Sequence, residues 1–342
     1  MSTTFIEGSI AVAKTVGVCR PHVISAYPIT PQTHIVEHLS ELVANGEIKS
    51  EYVNVESEHS AASVVLGSSA TGARTYTATT SQGFLLMIEV LFNIAGMRLP
   101  VVMTCVNRAV SAPINIWNDQ QDSMTARDSG WIQLYAEDNQ EASDMHLQAF
   151  KIAENKDIML PVMVCMDGFV LTHSFDPIEL ISQEQADKFL PPFKPQYYLT
   201  PKNPLTFGTM VGPDGYMETR YFIEKTMRAS LQVISDVATD FHNQFGRFQG
   251  GLIDTYKVED ATLVLVAMGS IIGTIKDIVD ELRAKGQKVG VLKVRSYRPF
   301  PKDEIYKALN HVKEIAVVEK AVSLGYGGIL VNEIKSVFYG KP

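Results

Sequence analysis

Cysteine is scarce in this chain: three in 342 residues, at Cys19, Cys105 and Cys165, with no C-x-x-C pair among them. An iron–sulfur cluster needs about four thiolates close together, so this chain cannot ligate one by itself. Scattered single cysteines fit free buried thiols in a reducing cytoplasm, not a disulfide framework. No apolar run approaches the roughly 20 residues that a helix needs to span a bilayer. The opening "MSTTFIEGSIAVAKTVG" lacks the basic start and continuous apolar core of a secretion signal. Positive charge is also short, with 30 Lys and Arg against 38 Asp and Glu. That balance excludes a nucleic-acid footprint, and any anionic substrate must be met by individually placed cations. Neither G-x-G-x-x-G nor a G-K-[ST] ending occurs, so no standard phosphate loop is present.

What is present is an ordinary apolar fraction, 46%, in a chain long enough for two cores. Over residues 5 to 170, helix-like segments ("GSIAVAKTVG", "THIVEHLSELVANG", "SEHSAASVVLGSSATG", "FLLMIEVLFNIAGM") alternate with strand-like ones ("HVISAYPI", "EYVNVE", "RTYTATT", "LPVVMTCVN", "PVMVCMDGF"). Continuous apolar strands separated by helices predict a parallel sheet covered on both faces. Residues 171–257 read differently: a proline-rich extended stretch, "FLPPFKPQYYLTPKNP", precedes a long amphipathic segment, so this region is expected to be a connector plus a packing helix. From 258 to 342 a second α/β unit follows, with three βα steps starting at "ATLVLVAMGS", "KVGVLKVRSY" and "EIAVVEK".

Ligands of open α/β sheets gather at the carboxyl ends of strands. Thr30 in "YPITPQT", Glu58 in "VESEHSAAS", Ser81 in "TTSQGF" and Arg108 in "CVNRAV" all fall there. Each has two readings. Thr30 lies in a turn that two prolines stiffen, which aims its hydroxyl. Glu58 opens a small-residue helix, where a carboxylate serves as a cap or dipole partner; alternatively it reaches a heteroaromatic nitrogen across an interface. Glu56 and His59 read as solvated neighbours. Ser81 reads as a helix N-cap or, loosely, as part of a phosphate-binding turn. Arg108 offers a fork for a carboxylate or an ion pair with a surface acid. The polar stretch 114–131, with Trp117, Asp119 and Asp122, reads as a loop over a site or against a partner. "MGSIIGTIKD" and "RSYRPFP" read as helix-opening turns.

Together "YPITP", "ESEHSAASVVLGSSATGA", "TTSQGFLLMIEVLFNIAG", "LPVVMTCVNRAV", "DQQDSM" and "VRSYRPFP" resemble, in order and over nearly the whole chain, the α subunit of the 2-oxoacid:ferredoxin oxidoreductase family, pyruvate:ferredoxin oxidoreductase above all. The resemblance implies a domain at 1–170 that binds the pyrimidine half of thiamine diphosphate, a connector at 171–257, and a transketolase C-terminal-like domain at 258–342. Family members continue beyond the point where this sequence stops, so the third part is expected to be incomplete. The resemblance makes Glu58 the glutamate at N1′ of the cofactor's pyrimidine, favouring the tautomer that takes the C2 proton. It makes Arg108 and Thr30 substrate-binding, and Ser81 and Gln82 cofactor-binding. The nearest matches to the G-D-G start of a diphosphate–metal site, "MDG" at 166–168 and "PDG" at 213–215, lack the first glycine. Mg²⁺, the diphosphate half and the iron–sulfur clusters are therefore expected in partners: a β subunit, a ferredoxin-like subunit and a γ subunit, with external ferredoxin, CoA and pyruvate. Other 2-oxoacids, the β component of a lipoyl-linked dehydrogenase, and a catalytically idle scaffold are the alternatives.

Overall fold

The computed structural model describes residues 3–341. Its elements run β1 (Thr3–Glu7), α1 (Gly8–Val18), β2 (Val23–Ser25), α2 (Thr33–Ala44), β3 (Glu51–Val53), α3 (Glu58–Ala70), β4 (Thr75–Thr79), α4 (Ser81–Gly96) and β5 (Val102–Asn107). Next come α5 (Gln121–Thr125), β6 (Ile132–Tyr135), α6 (Asn139–Ala153), β7 (Val162–Asp167), β8 (Phe175–Glu179), α7 (Gln183–Phe189) and α8 (Tyr216–Phe245). The remainder is β9 (Ile253–Tyr256), β10 (Leu263–Ala267), α9 (Ile271–Ala284), β11 (Val289–Val294), β12 (Ser296–Arg298), α10 (Lys302–Leu309), β13 (Glu314–Val317), the short pair β14 (Val322–Ser323) and β15 (Gly327–Gly328), and α11 (Ile329–Phe338).

Seven strands form the main sheet in the order β12-β6-β7-β5-β4-β2-β3, parallel except for β12. β4, β5 and β7 are buried along their whole length, which is why they read as unbroken apolar or threonine-rich runs. One face carries a core built from α1, α2 and α6, with Val12, Leu39 and Phe150 at its centre. The other carries α3 and α4, whose Ala61, Val65, Phe84 and Met87 meet residues of the second unit.

The expected alternation holds, with three corrections. The strand expected over "HVISAYPI" pairs only at Val23–Ser25, because the chain leaves the sheet at Tyr27, where Pro28 can donate no ladder bond. Between β5 and β7 the chain inserts β6 and α6, which the sequence conceals. α6 buries Asn139, Glu141, Asp144, His146 and Gln148 along with its apolar residues, so no amphipathic stripe marks it. The connector also holds more than one helix: β8 pairs antiparallel with β1, and Phe189 of α7 packs on Phe241 of α8.

In the second sheet, β13, β10 and β11 are parallel and β9 closes the edge antiparallel. "KVGVLKVRSY" was expected as one strand, but it changes sheets at Arg295. β11 stays in the second unit, while β12 crosses to pair with β6 of the first. Around the crossing, burial alone would depress the Lys293 ammonium, yet Glu141 and Glu137 raise it instead. Its Nζ lies 3.0 Å from Glu137 and 3.2 Å from Glu141. Arg295 donates to Glu141 at 3.1 Å and to Gln148 at 2.9 Å. A second tie joins Lys320 and Ser270 to Asp167 at the end of β7, at 2.7 and 2.8 Å.

Removing one partner of a buried ion pair leaves the other charge uncompensated, at a cost of about 3–5 kcal/mol. Glu141→Gln is therefore expected to lower unfolding free energy by about 3 kcal/mol in urea titration. An unchanged midpoint would mean that Glu137 alone neutralises both cations.

Candidate functional site

Four turns converge at the carboxyl end of the main sheet. After β2, the proline turn is pinned by Gln32, whose Nε2 donates to the Ala78 carbonyl at 2.7 Å while its backbone amide donates to Ile29 at 2.8 Å. After β7, Gly168 has no room for a side chain: an added Cβ would meet the Asn107 carbonyl at 2.6 Å and Pro31 Cγ at 2.9 Å. The turns after β2, β5 and β7 therefore touch.

Glu58 and Glu56, two residues apart, have different surroundings. Ser57 is the N-cap of α3, with its Oγ accepting from Ser60 N at 3.2 Å, so the capping role expected as one reading of Glu58 belongs to its neighbour. Glu56 is exposed, and the Ser60 hydroxyl holds its carboxyl below the usual range. Glu58 is 7% exposed, and its carboxylate lies against α4 at Gly83, where a Cβ would crowd Glu58 Oε1 and Thr79 Oγ1. Among the described residues the Glu58 side chain takes no hydrogen bond.

Ser81 is the first residue of α4, not its cap, which is Thr80. It adopts φ +48°, unusual for a residue with a side chain. Its hydroxyl lies 2.6 Å from both the Ala109 carbonyl and Gln82 Oε1, and it can donate to one of them. Nearby, Thr79 Oγ1, Thr80 Oγ1, Gln82 Nε2 and Asn107 Oδ1 are buried without a partner among the described residues. Buried polar groups are normally satisfied, so orphans clustered at strand ends fit a polar ligand.

Arg108 is buried and bonds carbonyls rather than an acid: Nη1 donates to Thr30 O at 2.9 Å and Nε to Asn115 O at 3.3 Å. Among the described residues it forms no carboxylate ion pair. Thr30 is exposed, and its carbonyl, not its hydroxyl, makes this link. The residue that joins these turns is Asp122, noted in sequence only as part of a polar stretch. Oδ2 accepts from the Ser81 and Arg108 amides, both at 3.0 Å; Oδ1 accepts from Ser123 N and Asn107 Nδ2, both at 2.8 Å. A short, polar, aperiodic segment carries no signal that its acid is buried. Trp117, in the same stretch, is exposed, its ring tilted by 45° against Phe169 at 4.7 Å.

Other singled-out residues serve the fold. Asp167 of "MDG" is committed to Lys320 and Ser270, and Gly269 of "MGS" approaches it so closely that a Cβ there would lie 2.9 Å from Asp167 Oδ2. Arg298 of "RSYRPFP" pairs with Glu333 at 2.6 Å. Among the described residues no helix is long and apolar enough to cross a membrane.

Two family models match this chain. Residues 14–239 match pyruvate flavodoxin/ferredoxin oxidoreductase, thiamine diphosphate-binding, and residues 261–342 match pyruvate:ferredoxin oxidoreductase core domain II. The pyruvate synthase subunit PorA of Methanosarcina barkeri is 59% identical over 98% of this chain and 84% of that protein. Its counterpart in Methanocaldococcus jannaschii is 52% identical over 98% of this chain and 87% of its own length. The ketoisovalerate oxidoreductase subunit VorA of Pyrococcus horikoshii is 47% identical over 98% and 84%. The fold is shared with 2-oxoglutarate:ferredoxin oxidoreductase from Magnetococcus marinus, at TM-score 0.74 and 21% identity, covering 98% of this chain and 60% of that one. It is also shared with a split-gene transketolase, at TM-score 0.58 and 14% identity, covering 98% and 86%.

Burial pushes the Asp122 carboxyl up to about 6, against the pull of its four donors. An unfolded Asp titrates near 3.9, so between about pH 4 and 6 the native state holds a proton that the unfolded chain has released. This contribution is full below that window and is lost as pH rises through it. Keeping the group ionised at neutral pH costs up to about 3 kcal/mol. Asp138, also raised to about 6, slopes the same way, but Asp122→Asn removes only Asp122's share. The variant's stability relative to wild type is expected to rise by about 2–3 kcal/mol between pH 4 and 7, read by urea unfolding across that range. A constant difference would mean that Asp122 titrates normally.

Proposed function

The chain belongs to the pyruvate flavodoxin/ferredoxin oxidoreductase family, and on that premise we propose that it is the α subunit of a pyruvate:ferredoxin oxidoreductase, holding the pyrimidine half of thiamine diphosphate. The complete enzyme converts pyruvate and CoA to acetyl-CoA and CO2 and passes two electrons to ferredoxin. The observation that carries this reading is Glu58: a buried carboxylate with no hydrogen-bond partner among the described residues, set against Gly83 beside four polar atoms that likewise lack one.

When bound, thiamine diphosphate supplies a carbon nucleophile at C2 and an electron sink as CO2 leaves. In this reading Glu58 holds the proton at N1′ of the pyrimidine, and its low exposure keeps water from competing for that contact. Gln82 Nε2, a donor without a partner among the described residues, and Ser81 line the pyrimidine side. Among the described residues Arg108 forms no carboxylate ion pair, Asp122 bonding only its backbone amide, and its guanidinium is available to bind the substrate carboxylate. The hydroxyl of the exposed Thr30, which takes no hydrogen bond among the described residues, completes the substrate contact. Mg²⁺, the diphosphate contacts and the iron–sulfur clusters come from a β subunit and a ferredoxin-like subunit, with a γ subunit in the assembly. Residues 3–170 form the cofactor domain, and 258–341 the second, transketolase-like domain, joined through 171–257. A branched-chain 2-oxoacid is the second reading, favoured by the VorA relative at 47% identity; rates of the complex on a panel of oxo acids decide between them.

Glu58→Gln keeps shape but removes the acid, and is expected to slow hydrogen–deuterium exchange at C2 of the cofactor by at least about a hundredfold, whereas Glu56→Gln leaves it unchanged. Wild-type exchange in Glu58→Gln would revive the idle-scaffold alternative. Arg108→Ala removes charge-assisted hydrogen bonds worth roughly 1.5–3 kcal/mol, so kcat/KM for pyruvate should fall by about one to two decades. Arg108→Lys should recover little, because a point charge does not replace a fork.

A further inference from the structure

We propose that Asp122 is a positioning residue of the reaction: its carboxylate fixes the backbone of the substrate-clamp residue Arg108 and of the cofactor turn at Ser81 at the same time. The proposal rests on the reading of Arg108 as the carboxylate clamp. A single oxygen, Oδ2, accepts both the Ser81 and the Arg108 amide at 3.0 Å. These amides end two neighbouring parallel strands, β4 and β5, whose turns no ladder bond holds beyond Thr79 and Asn107. Ser81 also needs an external hold, because its left-handed backbone is disfavoured for a residue with a Cβ.

A plain anchoring role for α5 would be served by Oδ1 alone, through Ser123 N and Asn107 Nδ2. Oδ2 is spent wholly on the two turns. Downstream of each turn lies a functional side chain. Arg108 reaches Thr30 and Asn115 from the amide that Asp122 holds. The Ser81 hydroxyl lies 2.6 Å from Gln82 Oε1 and can orient the Gln82 amide. Burying an acid here works against stability, since among the described residues it forms no ion pair and burial raises its carboxyl. A site that tolerates such a cost is better explained by what the acid holds than by packing.

The test compares Asp122→Ala, Asp122→Asn and the reference Arg108→Ala in the assembled complex, reading KM for pyruvate and kcat separately. Asp122→Ala releases both amides and is expected to raise KM by about tenfold or more while changing kcat less, since a small misplacement of a clamp is enough to weaken it. Asn can keep its oxygen on the two amides if the Asn107 amide, whose Nδ2 now faces Asp122 Oδ1, turns over to present its Oδ1, which has no partner among the described residues; the Ser123 amide then loses its acceptor. Asp122→Asn should therefore stay within about threefold of wild type, and adding Asn107→Ala should raise KM again by removing that acceptor. Wild-type KM in a folded Asp122→Ala complex, with Arg108→Ala impaired, would overturn the proposal and leave the functional reading standing. Should Asp122→Ala not assemble, a wild-type KM in Asp122→Asn/Asn107→Ala overturns it in the same way. Wild-type KM in Arg108→Ala would remove the clamp itself, and the proposal with it.

Discussion

The Asp122 carboxylate is the point on which the candidate site depends. A parallel sheet fixes its strands by ladder bonds, but those bonds stop where the strands end, and the chemistry of such folds lies just past that edge. Four donors from three segments close on one buried acid there: the β4 turn, the end of β5, and α5. Among the described residues the acid forms no ion pair: it satisfies backbone and amide donors, and the Arg108 guanidinium acts on it only from a distance. Burial pushes its carboxyl up despite these bonds, and the site is bought against stability.

The second unit is held to the first by a different kind of interaction. A strand that changes sheets at Arg295 carries two cations, Lys293 and Arg295, into a group of acids on β6–α6. In a second tie, Lys320 and the helix-opening turn at Ser270 meet Asp167. Both ties attach next to strands of the main sheet, β6 and β7, so the second unit buttresses the sheet from the side that carries α3 and α4. Glu58, at the start of α3, is thereby set on a surface backed by both units.

Much was legible in the sequence. The alternation of helices and continuous apolar strands is a local, periodic signal, and it located β4, β5, β7 and the three βα steps of the second unit. The motifs around Glu58, Ser81 and Arg108 placed those residues at strand ends, where the structure puts them. The hidden parts have a common cause. α6 buries polar residues on every face, because their partners come from Arg295, Arg247 and Lys293, more than 100 residues away. β12 looks like the tail of β11 until a partner strand from the other unit claims it.

The sequence by itself determined the fold class and the positions that could carry chemistry, since both follow from local pattern and residue type. It left Glu58 with a capping and a ligand reading, gave Arg108 two roles and passed over Asp122. Those choices turn on burial and on which donors lie within about 3 Å, and both are properties of chain segments brought together only on folding. Ser57 takes the cap and frees Glu58 to lie against Gly83; the Arg108 guanidinium forms no ion pair among the described residues; and Asp122 turns inward because Ser81 and Arg108 present amides to it.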